Sequence, residues 1–289
     1  MALMHLNFES EYLGSNTDVN IILPDRSREI PASDFYSSGK KYRVLWLLHG
    51  TFGDYTDWLR KSNIELYACE NDLIVVMPSA GNSDYSAWNN FTLGYDSEKY
   101  IINELMPLVY HWLPASSQRK DNFIAGLSMG GQGALKFALK YPQLFEAAAV
   151  LSYAPSDLEE NRESLQKLFD QKLSEVMDDR DVMHMKQRQY NIMHRYETLD
   201  DYLNSDDNLW KLAENADRDN LPRLFFACGT EDPLMGPQFP VSRKHLEELS
   251  IRAVYSQAPG SHEWRVWERD IQKALTFFGI TDQEKGNAF

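Results

Sequence analysis

Cysteines and long apolar runs are scarce in this sequence of 289 residues. Cys69 and Cys228 are the two cysteines, and both lie in largely apolar segments. One disulfide is possible, but two buried free thiols in a cytoplasmic protein are the expected state. No stretch approaches the roughly 18 consecutive apolar residues of a membrane-spanning helix. The first six residues carry neither a basic region nor a long apolar segment, so we expect no secretory signal.

Positive charge is also in short supply. The chain has 29 basic and 43 acidic residues, a formal net charge of −14 at pH 7. Such a chain repels phosphate backbones and anionic lipid headgroups, so we expect neither a nucleic-acid partner nor a membrane partner. Its 15 glycines and 12 prolines follow no repeating period, which excludes fibrous and low-complexity classes.

Apolar residues, in contrast, are plentiful. They make up 43% of the chain and include 7 tryptophans, 15 tyrosines and 14 phenylalanines, enough for a large buried core. Short apolar runs alternate with segments of helical periodicity. The predicted strands are 17–23, 43–48, 73–77, 122–125, 146–151, 223–228 and 252–256. The predicted helices are about 56–69, 97–112, 132–141, 241–249 and 263–278. This order predicts an α/β fold, a mostly parallel twisted sheet with helices on both faces.

Two departures from that alternation are expected. The segment around residues 6–8 is a candidate partner for the first strand, which would make an antiparallel edge. Residues 156–219 interrupt the pattern with 17 acidic and nine basic residues and apolar positions at helical spacing. We interpret 1–155 and 220–289 as one core and 156–219 as a helical insertion that caps an active site. A structural appendage is the alternative, and its exposed Met and Leu could instead join copies in a homo-oligomer.

The segment from Gly126 to Gly130 reads G-x-S-x-G, with Ser128 at its centre. The pattern is meaningful where it follows a buried strand and opens a helix, and both conditions hold here. Because the turn is tight, a side chain at either glycine would meet backbone, and the serine must adopt a strained conformation. The sequence therefore predicts a nucleophilic hydroxyl at Ser128, with the Met129 N–H beside it as an oxyanion donor.

A serine nucleophile needs a base and an orienting carboxylate. Of the seven histidines, His262 lies between the last predicted strand and the last helix, where the base of such a fold is expected. The carboxylate should follow the preceding strand, where Glu231 and Asp232 are adjacent. Asp232 is preferred because Pro233 fixes the turn around it, Glu231 is the second choice, and Asp157 is a weaker third.

The loop after the strand 43–48 begins His49-Gly50-Thr51, which nominates the Thr51 N–H as the second oxyanion donor. His49 is expected to shape this loop. Several aromatic residues are candidates for the substrate pocket, although each is also a normal packing residue. They are Phe52, Trp88, Phe91, Trp264 and Trp267.

Three motifs together resemble the tributyrin-esterase, esterase D-like branch of the α/β-hydrolase superfamily, which is related to feruloyl esterases, acetylxylan esterases and S-formylglutathione hydrolases. They are Leu47-Leu48-His49-Gly50-Thr51-Phe52-Gly53 with Trp58, Leu73-Ile74-Val75-Val76-Met77-Pro78, and Ile124-Ala125-Gly126-Leu127-Ser128-Met129-Gly130-Gly131. The resemblance implies the same triad, Ser128, Asp232 and His262, and the same oxyanion donors, Thr51 and Met129. It also implies that the loop around Trp88 faces the acyl pocket. The chain departs from the branch in its long insertion and in having Trp88-Asn89 where relatives have Trp-Tyr.

These observations predict a serine carboxylesterase that hydrolyses small or short-acyl esters, including aromatic acyl groups, through an acyl-enzyme. No metal or organic cofactor is expected. A thioesterase or acyltransferase on the same fold is the first alternative, and a non-catalytic binding module is the second.

Overall fold

One sheet of eight strands organises the chain in the computed structural model, which describes residues 2–88, 95–178 and 184–281. The strand order is β1-β2-β4-β3-β5-β6-β7-β8. The strands are β1 Ala2–Ser10, β2 Ser15–Leu23, β3 Arg43–Leu48, β4 Leu73–Pro78, β5 Asn122–Leu127, β6 Ala147–Leu151, β7 Arg223–Gly229 and β8 Ala253–Ala258. The first two form an antiparallel hairpin whose second strand pairs antiparallel with β4, and the remaining neighbours are parallel. The predicted mostly parallel sheet with an antiparallel edge is confirmed.

The central strands are apolar on both sides because helices cover both faces of the sheet. In β3, Trp46 contributes to the core on one face, whereas Leu45 and Leu47 contribute to the core on the other. Successive side chains of a strand point to opposite faces, so a continuous apolar run serves two cores at once.

The helices are α1 Ala32–Ser37, α2 Asp57–Lys61, α3 Ile64–Glu70, α4 Ser97–Lys99, α5 Met106–Trp112, α6 Met129–Lys140, α7 Arg162–Phe169, α8 Leu173–Asp178, α9 Met185–Met193, α10 Leu199–Leu203, α11 Leu209–Glu214, α12 Phe239–Glu248 and α13 Trp264–Phe278. Apolar residues of α5, α6 and α12 join the core on one face, and those of α2, α3 and α13 join the core on the other. No helix in these ranges has the length and apolar character needed to cross a bilayer.

Two predicted helices differ from the structure. The segment 56–69 is two short helices, because Ser62 is extended (φ −142°, ψ 172°) and its hydroxyl accepts a hydrogen bond from the Ile64 N–H. The segment 97–112 contains a π-helix, Tyr100–Leu105, immediately before Pro107. Proline has no N–H and its ring clashes with the carbonyl four residues earlier, so the wider turn accommodates it without ending the helix.

The insertion between β6 and β7 contains α7 to α11. Four of its buried residues form a separate small apolar cluster, namely Met193, Leu199, Tyr202 and Leu203. Two others, Leu209 and Ala213 of α11, belong to the core that also contains α6. The insertion therefore packs on the helix that follows Ser128.

Candidate active site

Ser128 lies in the turn between β5 and α6, with φ +52° and ψ −117°. Its N–H donates to the Leu151 carbonyl at 2.8 Å, which fixes the turn against the neighbouring strand. A Cβ on Gly126 would overlap the Gly130 carbonyl, and a Cβ on Gly130 would overlap the Leu48 carbonyl. Both glycines are therefore required by close backbone approach, and the strained serine conformation predicted from the sequence is present.

His262 lies on the loop between β8 and α13 and faces Ser128. Its Nε2 is 3.0 Å from Ser128 Oγ, and its Nδ1 is 2.7 Å from Asp232 Oδ2. The three side chains come from loops at the carboxyl ends of β5, β7 and β8, which meet at one edge of the sheet. Glu231 is exposed, and the Asp157 carboxylate instead accepts a hydrogen bond from the Glu159 N–H.

The Asp232 carboxylate is fully engaged and its side chain has no exposed surface. Its Oδ1 accepts hydrogen bonds from the Leu234 and Met235 N–H groups at 2.9 and 3.0 Å. Burial acts to raise the pKa of this carboxyl, but the hydrogen bonds from His262 and the two amides outweigh burial and hold the pKa below its usual value. An ionised Asp232 favours the imidazole tautomer with its proton on Nδ1, which leaves Nε2 free to accept the serine proton.

Two backbone N–H groups are available beside the serine hydroxyl. Met129 is the first residue of α6, so its N–H has no acceptor within the helix. Thr51 lines the same cavity as Ser128. Among the described residues, neither the Thr51 nor the Met129 N–H has a hydrogen-bond partner, in contrast to the Phe52 N–H, which donates to Asn82 Oδ1 at 2.8 Å. Free amides at this place suit a developing oxyanion.

His49 shapes the loop that carries Thr51. Its Nδ1 lies 2.7 Å from the Gly50 carbonyl, and its Nε2 accepts a hydrogen bond from the Ala80 N–H at 3.0 Å. Burial lowers the pKa of the imidazole, so His49 is neutral, as both hydrogen bonds require. The Tyr85 hydroxyl donates to the His49 carbonyl and ties the same loop to the segment after β4.

A cavity of about 270 Å³ opens above Ser128, and the insertion supplies part of its lining. The insertion contributes an apolar group of lining residues, Leu158, Met185, Ile192, Leu209 and Trp210. It also contributes polar lining residues, among them Arg188, Gln189 and Asn208. Described residues of the insertion thus line the same cavity as Ser128.

The predicted substrate contacts Phe52 and Trp88 do not belong to this lining among the described residues. Phe52 is 62% exposed. Trp88 instead lies under the Arg195 guanidinium, 4.8 Å from the centre of its ring, and donates from Nε1 to the Ser83 carbonyl. Phe91 lies outside the described residues. A substrate contact by Phe52 or Trp88 therefore stays a prediction without support from the cavity.

Trp267 contacts the site from a different direction. It packs edge-on against the His262 ring, with centroids 5.1 Å apart at 88°, and donates from Nε1 to Ser152 Oγ. Trp264 packs edge-on against Trp267 and Trp58. The two tryptophans anchor α13, and Trp267 also fixes the plane of the imidazole.

Several polar residues of the cavity were not predicted from the sequence, notably Gln132, Tyr153 and Asp84. Gln132 follows Ser128 by one helical turn, a spacing that could have identified it. Asp84 is 2% exposed and lies in the loop after β4. Burial raises the pKa of its carboxyl, while Arg188 opposes that shift. No sequence pattern marks Asp84.

The part of the chain that the structure describes contains no set of side chains suited to bind a metal ion. Groups of three or more His, Cys, Asp or Glu side chains that could hold an ion are absent from residues 2–88, 95–178 and 184–281. Among the described residues, Cys69 and Cys228 are not joined by a disulfide, and Cys228 Sγ lies 3.7 Å from Asp232 Oδ2.

Comparison with known proteins supports the chemistry suggested by this geometry. A model of the Esterase family, described as "Putative esterase", matches residues 10–278. An acetyl esterase of Caldicellulosiruptor saccharolyticus is 30% identical over 285 residues, which cover 95% of this chain and 97% of that protein. Both the family model and this relative span nearly the whole chain.

Solved structures agree in fold. S-formylglutathione hydrolase of Staphylococcus aureus is 28% identical with a TM-score of 0.73, covering 96% of this chain and 98% of that one. The fluorophosphonate-binding serine hydrolase F of the same organism, in a substrate-bound structure, is 27% identical with a TM-score of 0.73, covering 97% and 99%. The chain therefore belongs to the Esterase family of the α/β-hydrolase fold, and it is a serine ester hydrolase.

Proposed function

We propose that Ser128, His262 and Asp232 form the catalytic triad of a carboxylesterase. The observation that carries this proposal is the His262 ring, which lies within hydrogen-bond distance of both Ser128 Oγ and Asp232 Oδ2. Ser128 Oγ attacks the ester carbonyl carbon while His262 Nε2 takes the hydroxyl proton. Asp232 holds the tautomer and stabilises the imidazolium that forms.

The attack converts the carbonyl oxygen into an oxyanion. In this proposal the Thr51 and Met129 N–H groups donate to it, and the start of α6 adds a favourable dipole. Because neither amide has another partner among the described residues, no hydrogen bond has to be broken when the oxyanion forms. The two donors are thus pre-organised for the transition state.

Collapse of the tetrahedral intermediate breaks the bond to the alcohol oxygen, and His262 gives its proton to the departing alkoxide. A water then attacks the acyl-serine carbonyl while His262 accepts a proton from that water. The second intermediate releases the carboxylic acid and returns the proton to Ser128 Oγ.

Short acyl groups fit this site best in our proposal. The cavity of about 270 Å³ is partly lined by the insertion, which we propose acts as a cap. A restricted cavity excludes long chains, and the 30% identical relative is named an acetyl esterase. We therefore propose small, short-acyl esters as the substrate class.

Thioester hydrolysis is the second candidate, since one structural relative is an S-formylglutathione hydrolase. Both reactions would use the same acyl-serine, and they differ in whether an alcohol or a thiol departs. Rates for matched acetate esters and acetate thioesters, measured with one preparation, decide between them. Adding acceptor alcohols to the same assay detects acyl transfer.

The direct test of the proposed nucleophile is Ser128→Ala. We expect hydrolysis of 4-nitrophenyl acetate to fall by about 10⁶-fold, to the level left by binding and the oxyanion donors alone. Circular dichroism should show an unchanged fold. Ser38→Ala, at an exposed serine after α1, is the matched control and should keep full activity. A Ser128→Ala enzyme that still turns over at a normal rate ends the proposal.

A further inference from the structure

One wall of the cavity above Ser128 carries an ion pair, Asp84 with Arg188. Asp84 belongs to the loop after β4, and Arg188 belongs to α9 of the insertion. An Arg188 terminal nitrogen donates to Asp84 Oδ1 at 3.2 Å, and both residues line the cavity together with Ser128. The pair therefore joins the core and the insertion inside the space that a substrate would occupy.

The second oxygen of Asp84 has no donor. Oδ2 is buried and makes no hydrogen bond to any described residue. A buried carboxylate oxygen without a partner is costly, and buried polar groups are normally satisfied by protein, water or ligand. The Arg188 side chain is 22% exposed and makes one side-chain hydrogen bond among the described residues, so further N–H groups can donate. The pair thus offers one acceptor and several donors.

The charged side chains around this wall of the cavity already balance one another. This balance affects whether a charged or a neutral ligand group fits there. Asp207 is paired with Lys136 and Arg195, Lys136 also with Glu98, and Asp84 with Arg188, which makes three acidic and three basic groups. The side chains of Asp207, Lys136 and Arg195 are at most 8% exposed. An ionic ligand group would leave an uncompensated charge in this buried setting. A neutral group that both donates and accepts a hydrogen bond satisfies Asp84 Oδ2 and Arg188 without that penalty.

We propose that Asp84 and Arg188 bind a hydroxyl group of the substrate and select hydroxylated esters over alkyl esters of the same size. Asp84 Oδ2 accepts the hydroxyl hydrogen, and the Arg188 guanidinium donates to the hydroxyl oxygen. This selection rests on the proposed esterase function of Ser128. The hydroxyl is carried either by the alcohol part or by the acyl part of the ester, and the two arms of the experiment separate these sources.

The first arm uses monoacetates of straight-chain diols, from ethane-1,2-diol to hexane-1,6-diol. Each is paired with the alkyl acetate that has a methyl group in place of the free hydroxyl. The second arm uses methyl hydroxyalkanoates, each paired with the matching methyl alkanoate. Acid release in a pH-stat gives kcat/KM for both members of every pair with the full chain.

In one arm, we expect one chain length at which kcat/KM for the hydroxylated ester exceeds kcat/KM for its alkyl partner by at least about tenfold. A site with buried polar groups penalises an analogue that leaves them unpaired, which is the reason for this margin. Asp84→Asn should bring the ratio close to one at that length. Arg188→Gln, at a side chain of α9 that is 22% exposed, tests the same pair where the first variant fails to fold. Asp206→Asn is the control, because Asp206 is 55% exposed and pairs with Lys140 outside the cavity lining.

The outcomes separate the selection from the underlying function. Equal rates within every pair for the wild type would overturn the selection and leave the esterase function standing. An equal fall on both members in Asp84→Asn would show that the pair only holds the insertion in place, and would also overturn the selection. If the wild type hydrolyses no member of any pair, the proposed function itself fails.

Discussion

The sheet core and the insertion are held in place by different forces. The core is built on continuous apolar strands such as β3 and β4, whose residues are nearly all buried. The insertion has a small apolar cluster of its own and, of its described buried residues, contributes only Leu209, Ala213 and Ala216 to the larger core. Buried ion pairs join it to that core, above all Asp207 with Lys136 of α6. Hydrophobic burial is non-directional, whereas a buried ion pair fixes one geometry and is costly to break. The core therefore provides a stable base, and the ion pairs fix the insertion against it.

The proposed chemistry follows the same division. Ser128, His262 and Asp232 all come from loops of the core, while much of the lining above them comes from the insertion. Changes in the core loops should therefore remove the reaction, and changes in the insertion should alter stability or selectivity. Four substitutions test this contrast.

The largest effect is expected at Asp232. Asp232→Asn keeps the shape of the side chain but removes the charge that selects the imidazole tautomer, so kcat should fall by about 10⁴-fold. The thermal midpoint of unfolding should change little, which would show that the loss of kcat does not come from a loss of stability. Glu231→Gln, at the exposed neighbouring acid, is the matched control and should retain activity. A larger loss of kcat in Glu231→Gln than in Asp232→Asn would mean that Glu231, and not Asp232, is the orienting carboxylate.

The next effect concerns the attachment of the insertion. Lys136 is 3% exposed and bridges Glu98 and Asp207. Lys136→Met leaves both carboxylates without this partner, so the free energy of unfolding in urea should fall by about 3–5 kcal/mol. Lys140→Met, one turn later on α6 at a 30% exposed lysine, should cost less than about 1 kcal/mol. Equal decreases in the free energy of unfolding for the two variants would mean that the buried Lys136–Asp207 ion pair does not attach the insertion to the core.

Acid should weaken the same attachment. Burial acts to raise the pKa of Asp207, but Lys136 and Arg195 outweigh it and hold the pKa well below its usual value of 3.8. A carboxyl with a lowered folded-state pKa stabilises the fold above the unfolded-state value, and that contribution is lost as the pH falls below it.

The stability difference between the wild type and Asp207→Asn should therefore be constant above about pH 5 and shrink below about pH 4. Urea unfolding at several pH values measures it. Asp206→Asn serves as the comparison because its carboxylate is 55% exposed. A difference for Asp207→Asn that does not depend on pH would contradict the assigned pairing.

The smallest effect is expected at the apolar cavity lining that the insertion supplies. Ile192 of α9 lines the cavity, and Ile192→Ala enlarges it. The preference between acetate and hexanoate 4-nitrophenyl esters should shift toward the longer chain by about tenfold, the value of one or two methylenes in a pocket. Val241→Ala, at an exposed site of α12, is the control and should leave the chain-length preference unchanged. An unchanged chain-length profile would mean that the insertion does not limit the acyl group.

Much of this architecture could be predicted from the sequence because its signals are local. Apolar runs marked the buried strands, and the G-x-S-x-G segment showed which strand precedes the serine. Chain order then placed Asp232 and His262 in loops that the structure brings to Ser128. The parallel sheet makes this inference possible, since the carboxyl ends of its strands share one edge.

The polar contacts between insertion and core could not be predicted in this way. Lys136 and Asp207 are 71 residues apart, and nothing in the spacing of either residue specifies its partner. Lys136 was nevertheless unusual, as a charged residue within the apolar run of α6. Trp88 was interpreted as a substrate contact because an aromatic residue suits a pocket, whereas in the structure it packs against Arg195 near the same ion pairs.

Labelling with a fluorophosphonate followed by peptide mass spectrometry tests the central claim most directly. We predict one covalent phosphonyl group on Ser128, formed in the wild type, strongly slowed in His262→Ala and absent in Ser128→Ala. Labelling of another residue would contradict the account, as would ester hydrolysis that continues unchanged in a fully labelled enzyme.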